Sequence, residues 1–356
     1  MQRQARAQFQ VLRINRWSLA LVLLLALVMV FFPLSRIIPV SNLRPQRVQP
    51  GVSLLGVDLG GHSADEVKQT LQRLAPRLHS EPSNASETQR FETTLMIPEV
   101  NGYRLDVDRT LLRVMAAPKG ERVLPATIPV QPARTLAQFP MRAIYQGNPA
   151  KPQVTLLINV AWGEEFLPKM LVALDHQGVK ASFFLTGQWA EKHPDLVRTI
   201  ANAGHELASH GYTDRVGPFE LQRQGQLRED IQKGADVIYK ITGRKPAFYS
   251  PHMGQVNEQL VATAAELGMK TVMWSLDTLD WQDPTAESIL HSVTTRAKNG
   301  DLILMHPRQN TATILERLIA ELKSRGLTPV TLSEMLRPDP ALPSSISLDP
   351  GPGIRA

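Results

Sequence analysis

The stretch Gly204–Asp214, G-H-E-L-A-S-H-G-Y-T-D, decides how this chain folds. It reads as a short buried strand, Glu206 to Ser209, stopped abruptly by His210, a glycine and a polar loop. The same apolar-to-polar break recurs through the C-terminal two thirds. Asn159 follows V-T-L-L-I, Ser250 follows Ala247-Phe248-Tyr249, Asp277 and Asp280 follow T-V-M-W-S-L, and His306 follows L-I-L-M. Helix-length amphipathic segments lie between these runs. In β/α barrels the C-terminal ends of parallel strands converge on one mouth, where chemistry is done. Polar residues in register with five strand ends therefore predict a site.

Working outward, the alternation predicts strands at Val154–Asn159, Lys180–Leu185, Glu206–Ser209, Ala247–Tyr249, Lys270–Trp274, Leu302–Met305 and Thr328–Thr331. Helices fill the intervals. This spacing implies right-handed crossovers and a parallel sheet closed, or nearly closed, into a barrel over residues 153–337. The fold class is α/β, a distorted (β/α)7 barrel preceded by a small α/β domain and a single N-terminal transmembrane helix.

Residues 1–16 carry Arg3, Arg6, Arg13 and Arg16 and no acid. The uncharged run Trp17–Leu34 is just long enough to cross a bilayer core of roughly 30 Å. Its basic flank places the N-terminus in the cytoplasm, and no small-residue cleavage site follows. The reading is an uncleaved anchor over 17–35, with the rest of the chain outside the cytoplasm. From 48 to 122 a small α/β unit is expected. Ser63 and Glu66 have capping-box spacing, and a second helix begins near Leu111. Prolines mark 123–152 as an extended connector and 338–356 as a disordered tail.

Composition narrows the function. The balance of 39 basic against 33 acidic residues is only mildly positive. No basic block interleaved with aromatics supports nucleic-acid binding. The absence of cysteine excludes thiol nucleophiles and thiolate ligands, leaving His, Asp and Glu for any metal.

Four phrases, in order, carry a family likeness: G-V-K-A-S-F-F-L-T-G, G-H-E-L-A-S-H, W-S-L-D-T-L-D-W and G-D-L-I-L-M-H. The region Val154–Leu336 resembles the polysaccharide deacetylases (NodB homology, carbohydrate esterase family 4). Its first motif, I-N-V-A-W-G-E-E, looks like the sporulation-associated branch of that family. The resemblance implies removal of acetyl groups from N-acetylated sugars of peptidoglycan or chitin-like polymers, with an Asp-His-His divalent metal, an aspartate base and a histidine acid. Residues 48–122 resemble a peptidoglycan-binding module found ahead of some L,D-transpeptidases, through G-V-D-L-G-G and R-L-D-V-D-R-T.

The carry-over is incomplete. At the first motif the base position is Asn159 and the metal position Val160; neither can do the family's work. Glu164 or Glu165, on a longer loop, is the candidate substitute ligand. His210 matches the first histidine ligand, and Asp214 stands where the second is expected. Ser250 replaces the arginine that orients the base. Asp280, Trp281 and His306 match the family, with Asp280 expected within hydrogen-bonding distance of His306 to hold its tautomer. Trp162, Ser250, His252 and Trp281 are candidate glycan contacts. His205, at the opposite strand end, reads as structural. The implied cofactor is a divalent metal, zinc, held weakly or not at all. Two functions follow: a membrane-anchored deacetylase of cell-wall glycan with altered base and metal motifs, or a catalytically inactive relative that binds glycan or a partner. A glycoside hydrolase fits poorly, because Asp277 and Asp280 share one segment.

Overall fold

The computed structural model describes residues 47–90, 93–340 and 342. The expected anchor lies outside them; among the described residues no helix is long and apolar enough to cross a membrane. The C-terminal region is a curled parallel sheet of eight strands. These are β9 (Gln153–Val160), β10 (Ser182–Leu185), β11 (Glu206–Ser209), β12 (Phe248–Tyr249), β13 (Lys270–Thr271), β14 (Leu276–Asp277), β15 (Leu302–Met305) and β16 (Thr328–Pro329). The spatial order is β13-β12-β11-β10-β9-β15-β14, with β16 also on β9. Seven strands were expected and eight form. The run Lys270–Leu276 divides between two neighbours, β13 pairing with β12 and β14 with β15. No pairing joins β13 to β14, so the barrel is open there.

Alternation along the strands sorts the core into two layers. Leu157, Phe184, Ala208, Phe248, Val272 and Leu302 fill the barrel interior. Leu156, Ile158, Val160, Phe183, Leu185 and Ile303 belong to the layer between sheet and helices. That layer includes Leu167 and Met170 of the helix Leu167–His176 and Leu315, Leu318 and Leu322 of Gln309–Ser324.

The segment before the barrel builds two small sheets, the second including β3 (His79–Ser80), and a hairpin of β4 (Ser86–Arg90) and β5 (Thr93–Ile97). β1 (Ser53–Leu54) pairs with β2 (Val57–Asp58) and β7 (Arg122–Val123). α1 (Ala64–Leu74) starts on the expected capping box, Ser63 with Glu66. α2 (Val107–Ala116) starts four residues before the Leu111 read from sequence, because the Asp106 carboxylate accepts the Arg109 N–H at 2.9 Å.

The proline-rich stretch 123–152 is woven into both units. β8 (Thr127–Val130) pairs with β6 (Gly102–Leu105). Ile144 lies on the open barrel edge, donating to Thr271 O at 2.9 Å and accepting from Met273 N–H at 2.8 Å. Lys151 is buried and donates to the carbonyls of Met335 (2.9 Å) and Arg337 (2.8 Å), fastening the segment to the last helix, Leu332–Met335. The tail is engaged where it begins, since Pro338 O accepts the Asn101 N–H at 2.6 Å.

His205 is structural, as its position before β11 implied. It is buried, its Nδ1 accepts the Ala181 N–H at 3.2 Å, and its ring meets Phe183 edge-on. Burial, helped by Lys180 and opposed by Asp175, pushes its pKa down to about 4. The unfolded chain holds this proton below about pH 6.5 and the folded chain does not. The corresponding stability is thus present above pH 6.5 and lost as pH falls toward 4. Urea midpoints should drop across that window, with His205 contributing on the order of 2 kcal/mol. His205→Gln keeps an acceptor without titrating and should flatten the drop; an unchanged acid limb would contradict this account.

Candidate active site

The C-terminal strand ends open on a cleft of 440 Å³ lined by Asn159, His210, Pro251, Met253, Trp274, Asp277, Trp281, Leu304 and His306. A smaller pocket of 170 Å³ continues from it past Ala161, Trp162, Asp214 and His252. The polar strand-end residues singled out in the sequence therefore do converge. They do so because each sits two residues beyond an inward-facing strand residue, at the same end of a parallel sheet.

Asn159 is buried, and its Oδ1 has no hydrogen-bond partner. Such orphaned buried acceptors are uncommon and costly, which marks the group as facing something it does not itself supply. A carboxamide cannot take a proton near neutral pH, so Asn159 can accept a hydrogen bond but not act as a base.

His210 is buried, with Nδ1 2.6 Å from the carbonyl of Ser250. A carbonyl only accepts, so Nδ1 carries the proton and Nε2 keeps its lone pair. Burial first, then His252, holds His210 well below the ordinary histidine range, and the imidazole is neutral. The loop after it is fixed from behind. Asp230, on the helix Leu227–Thr242, accepts the N–H groups of Tyr212 and Thr213, both at 3.0 Å. Gly234, one turn further, lets that helix press on the loop: a Cβ there would lie 2.4 Å from the backbone of Gly211. Gly211 itself is at φ +81°, and a Cβ on it would come within 2.5 Å of the Asp230 carboxylate. Sequence reasoning missed this support. Its signal was an acid and a glycine four apart in L-R-E-D-I-Q-K-G, on one face of the helix.

Asp280 and His306 form a closed hydrogen-bonded unit. Asp280 Oδ1 is 2.8 Å from His306 Nδ1, the distance expected from the sequence. Its Oδ2 accepts the His306 N–H and the Thr311 hydroxyl, both at 2.7 Å. The carboxylate thus makes Nδ1 the donor and leaves Nε2 as the free ring nitrogen. Trp162 stacks on His306 (5.6 Å between centroids, 16° between planes), and the Arg308 guanidinium lies 4.4 Å from the Trp162 centroid. The Trp162 ring is engaged inside the protein. Trp281, half exposed on the rim, offers a freer face.

Several expected contacts fall elsewhere. Glu164 lies 3.8 Å from His193 Nε2, turned toward the helices rather than toward His210, because Gly163 at φ +81° turns the loop against Pro307. Neither Glu164 nor Glu165 lines the cleft or its smaller extension. His252 does not stand on the rim. It is buried, edge-to-face with His210 at 4.3 Å, and burial lowers its pKa to about 4 against the opposing pull of Asp214. Ser250 is buried too, and its carbonyl rather than its hydroxyl makes the contact with His210.

The residues present do not make up the metal site that the family resemblance implies. His210 Nε2 and the Asp214 carboxylate are suitable ligands. Val160, at the third position, is an aliphatic residue fully buried in the apolar layer behind the sheet. Among the described residues no three histidine or carboxylate side chains gather where one ion could be held.

Comparison with known proteins agrees with this architecture. The family profile described as polysaccharide deacetylase matches residues 146–272. The chain is 34% identical to the protein YlxY of Bacillus subtilis over 274 residues, covering 77% of this chain and 84% of YlxY. It is 32% identical to a peptidoglycan-N-acetylglucosamine deacetylase of Bacillus cereus over 198 residues, covering 54% of this chain and 71% of that enzyme. Among solved structures, a carbohydrate esterase family 4 pseudoenzyme from Bacillus anthracis superposes with a TM-score of 0.66 at 28% identity, over 77% of this chain and 96% of that one. A mutant of that pseudoenzyme with restored enzymatic activity gives a TM-score of 0.66 at 27% identity, over 77% of this chain and 99% of that one. With sequence likeness, fold and strand-end cleft all in agreement, the chain belongs to the polysaccharide deacetylase family.

Proposed function

We propose that this chain recognises N-acetylated glycan of the cell wall in the strand-end cleft without turning it over efficiently. The observation that carries this reading is Asn159, a buried amide with an unpartnered oxygen, where a deacetylase needs a base. Without a base to take the proton of an attacking water, the step is lost, at a cost of about 10²–10⁴-fold. The cleft can still bind. The Asn159 carboxamide lines it, His306 offers Nε2 of a ring oriented by Asp280, and Trp281, Trp274 and Leu304 supply apolar faces. The relatives that act on peptidoglycan, and the pseudoenzyme that a mutation returns to activity, support the same reading.

The test pairs two measurements on one preparation. Acetate release from peptidoglycan should stay at background, while calorimetry with an N-acetylated oligosaccharide should show binding that the de-N-acetylated oligomer lacks. Acetate release at an ordinary enzymatic rate would replace this reading with the second one, an active deacetylase, which the intact Asp280–His306 pair favours.

The proposed setting is the outer face of the cell membrane, supported by the Arg-flanked apolar run Trp17–Leu34. A reporter fused after Ala356 should be active only outside the cytoplasm. Cytoplasmic reporter activity would remove this placement and leave the cleft argument intact.

A further inference from the structure

We infer that the small N-terminal unit docks an exposed face on an anionic lipid bilayer. The inference rests on the proposed membrane placement. Two leucines stand far out of the surface there, Leu112 at 68% and Leu124 at 67% exposure. Single exposed leucines are ordinary, but the two segments that carry these are tied together. Arg113, beside Leu112 on α2, donates to the carbonyl of Leu124 at 3.4 Å. The same stretch, 107–126, carries the exposed cations Arg109, Arg113, Lys119 and Arg122. The nearby acids offset about half of that charge and leave the face net positive. Asp108 is taken by Lys68 at 3.3 Å, Asp106 faces Arg109 at 4.0 Å, and Glu121 alone lies exposed in the turn. Aliphatic side chains ringed by Lys and Arg match a headgroup boundary. The leucines enter the acyl edge and the cations meet anionic headgroups, each worth about a fivefold gain in binding.

What points this face toward a membrane is where the chain enters the unit. Gly120 N–H donates to Pro50 O at 3.0 Å and Ser53 N–H to Glu121 O at 3.0 Å. The Lys119–Arg122 turn therefore lies directly against the first described residues. Residues 35–46 separate Arg47 from the apolar run and can span at most about 40 Å. A unit tethered that closely, with its basic, leucine-bearing side at the tether, meets the bilayer with that side.

The test uses the full chain in lipid nanodiscs and two readouts. Resistance to carbonate extraction from membranes reports the anchor. Hydrogen exchange across residues 107–126 reports the docking. The expected result is slower exchange in discs containing phosphatidylglycerol than in pure phosphatidylcholine discs. Protection should fall about tenfold in Arg113→Glu with Arg122→Glu, and in Leu112→Ser with Leu124→Ser. These are surface changes, so folding is retained, which unaltered exchange in the barrel confirms. A chain that resists extraction yet exchanges equally in both lipids overturns the docking and leaves the anchor standing. A chain that is extracted overturns the anchor.

Discussion

Replacing Asn159 and Val160 by aspartate and Asp214 by histidine, all together, is expected to raise zinc affinity by about a hundredfold or more. The wild-type chain presents two ligands, His210 Nε2 and the Asp214 carboxylate, and two protein ligands hold a divalent ion poorly. His210 is ready: its tautomer is fixed by Ser250 O and it is neutral. Asp214→His adds a neutral nitrogen, and Asn159→Asp puts a carboxylate at the mouth with almost no change of shape. Val160→Asp is the demanding step. Val160 belongs to the apolar layer behind the sheet, so the new carboxylate must turn toward the mouth or stay buried and unpaired. Metal binding then compensates for that cost, and zinc should stabilise the triple variant far more than the wild type. Titration calorimetry and zinc-dependent melting check this together. Tight zinc binding by the wild type would mean a ligand set other than this one, and a triple variant that gains nothing would show that the strand end cannot turn.

Asp280→Ala is expected to cost about 3–5 kcal/mol of unfolding free energy, more than most single changes in a chain of this size. The Asp280 side chain is fully buried and receives three donors: His306 N–H, His306 Nδ1–H and the Thr311 hydroxyl. Truncation leaves all three unpaired where water does not reach easily, and it frees the His306 ring. Thr311→Val removes one donor along with its need for a partner, so it should cost only about 1 kcal/mol. Urea unfolding of the two variants decides the matter. If Asp280→Ala loses no more than Thr311→Val, water serves these donors and the carboxylate is not what holds His306.

Much of the site was legible in advance because its logic is local. A strand that ends in a polar residue places that residue at the sheet's C-terminal rim, and parallel winding brings the rims together. Asn159, His210 and His306 needed no more than that, and the family resemblance added Asp214 and Trp281. Spacing likewise gave the Ser63 capping box, while the pairing of Asp280 with His306 followed from the family resemblance. The division of Lys270–Leu276 between two strands was not legible, since one apolar run carries no mark of which neighbour takes each half.

By itself, then, the sequence determined the strand-end residues, and that Asn159 and Val160 rather than two carboxylates close the first strand. These depend only on residue identity and on the period of the strands. The tertiary structure decided what each remaining side chain touches. Glu164 turned to His193, His252 sank beneath His210, and Trp162 was claimed by His306 and Arg308. Asp230 came to hold the His210 loop from a helix 20 residues away in sequence. The physical reason is that a loop side chain has several rotamers of nearly equal local energy. Packing and burial against distant elements select among them, and sequence spacing does not encode those contacts.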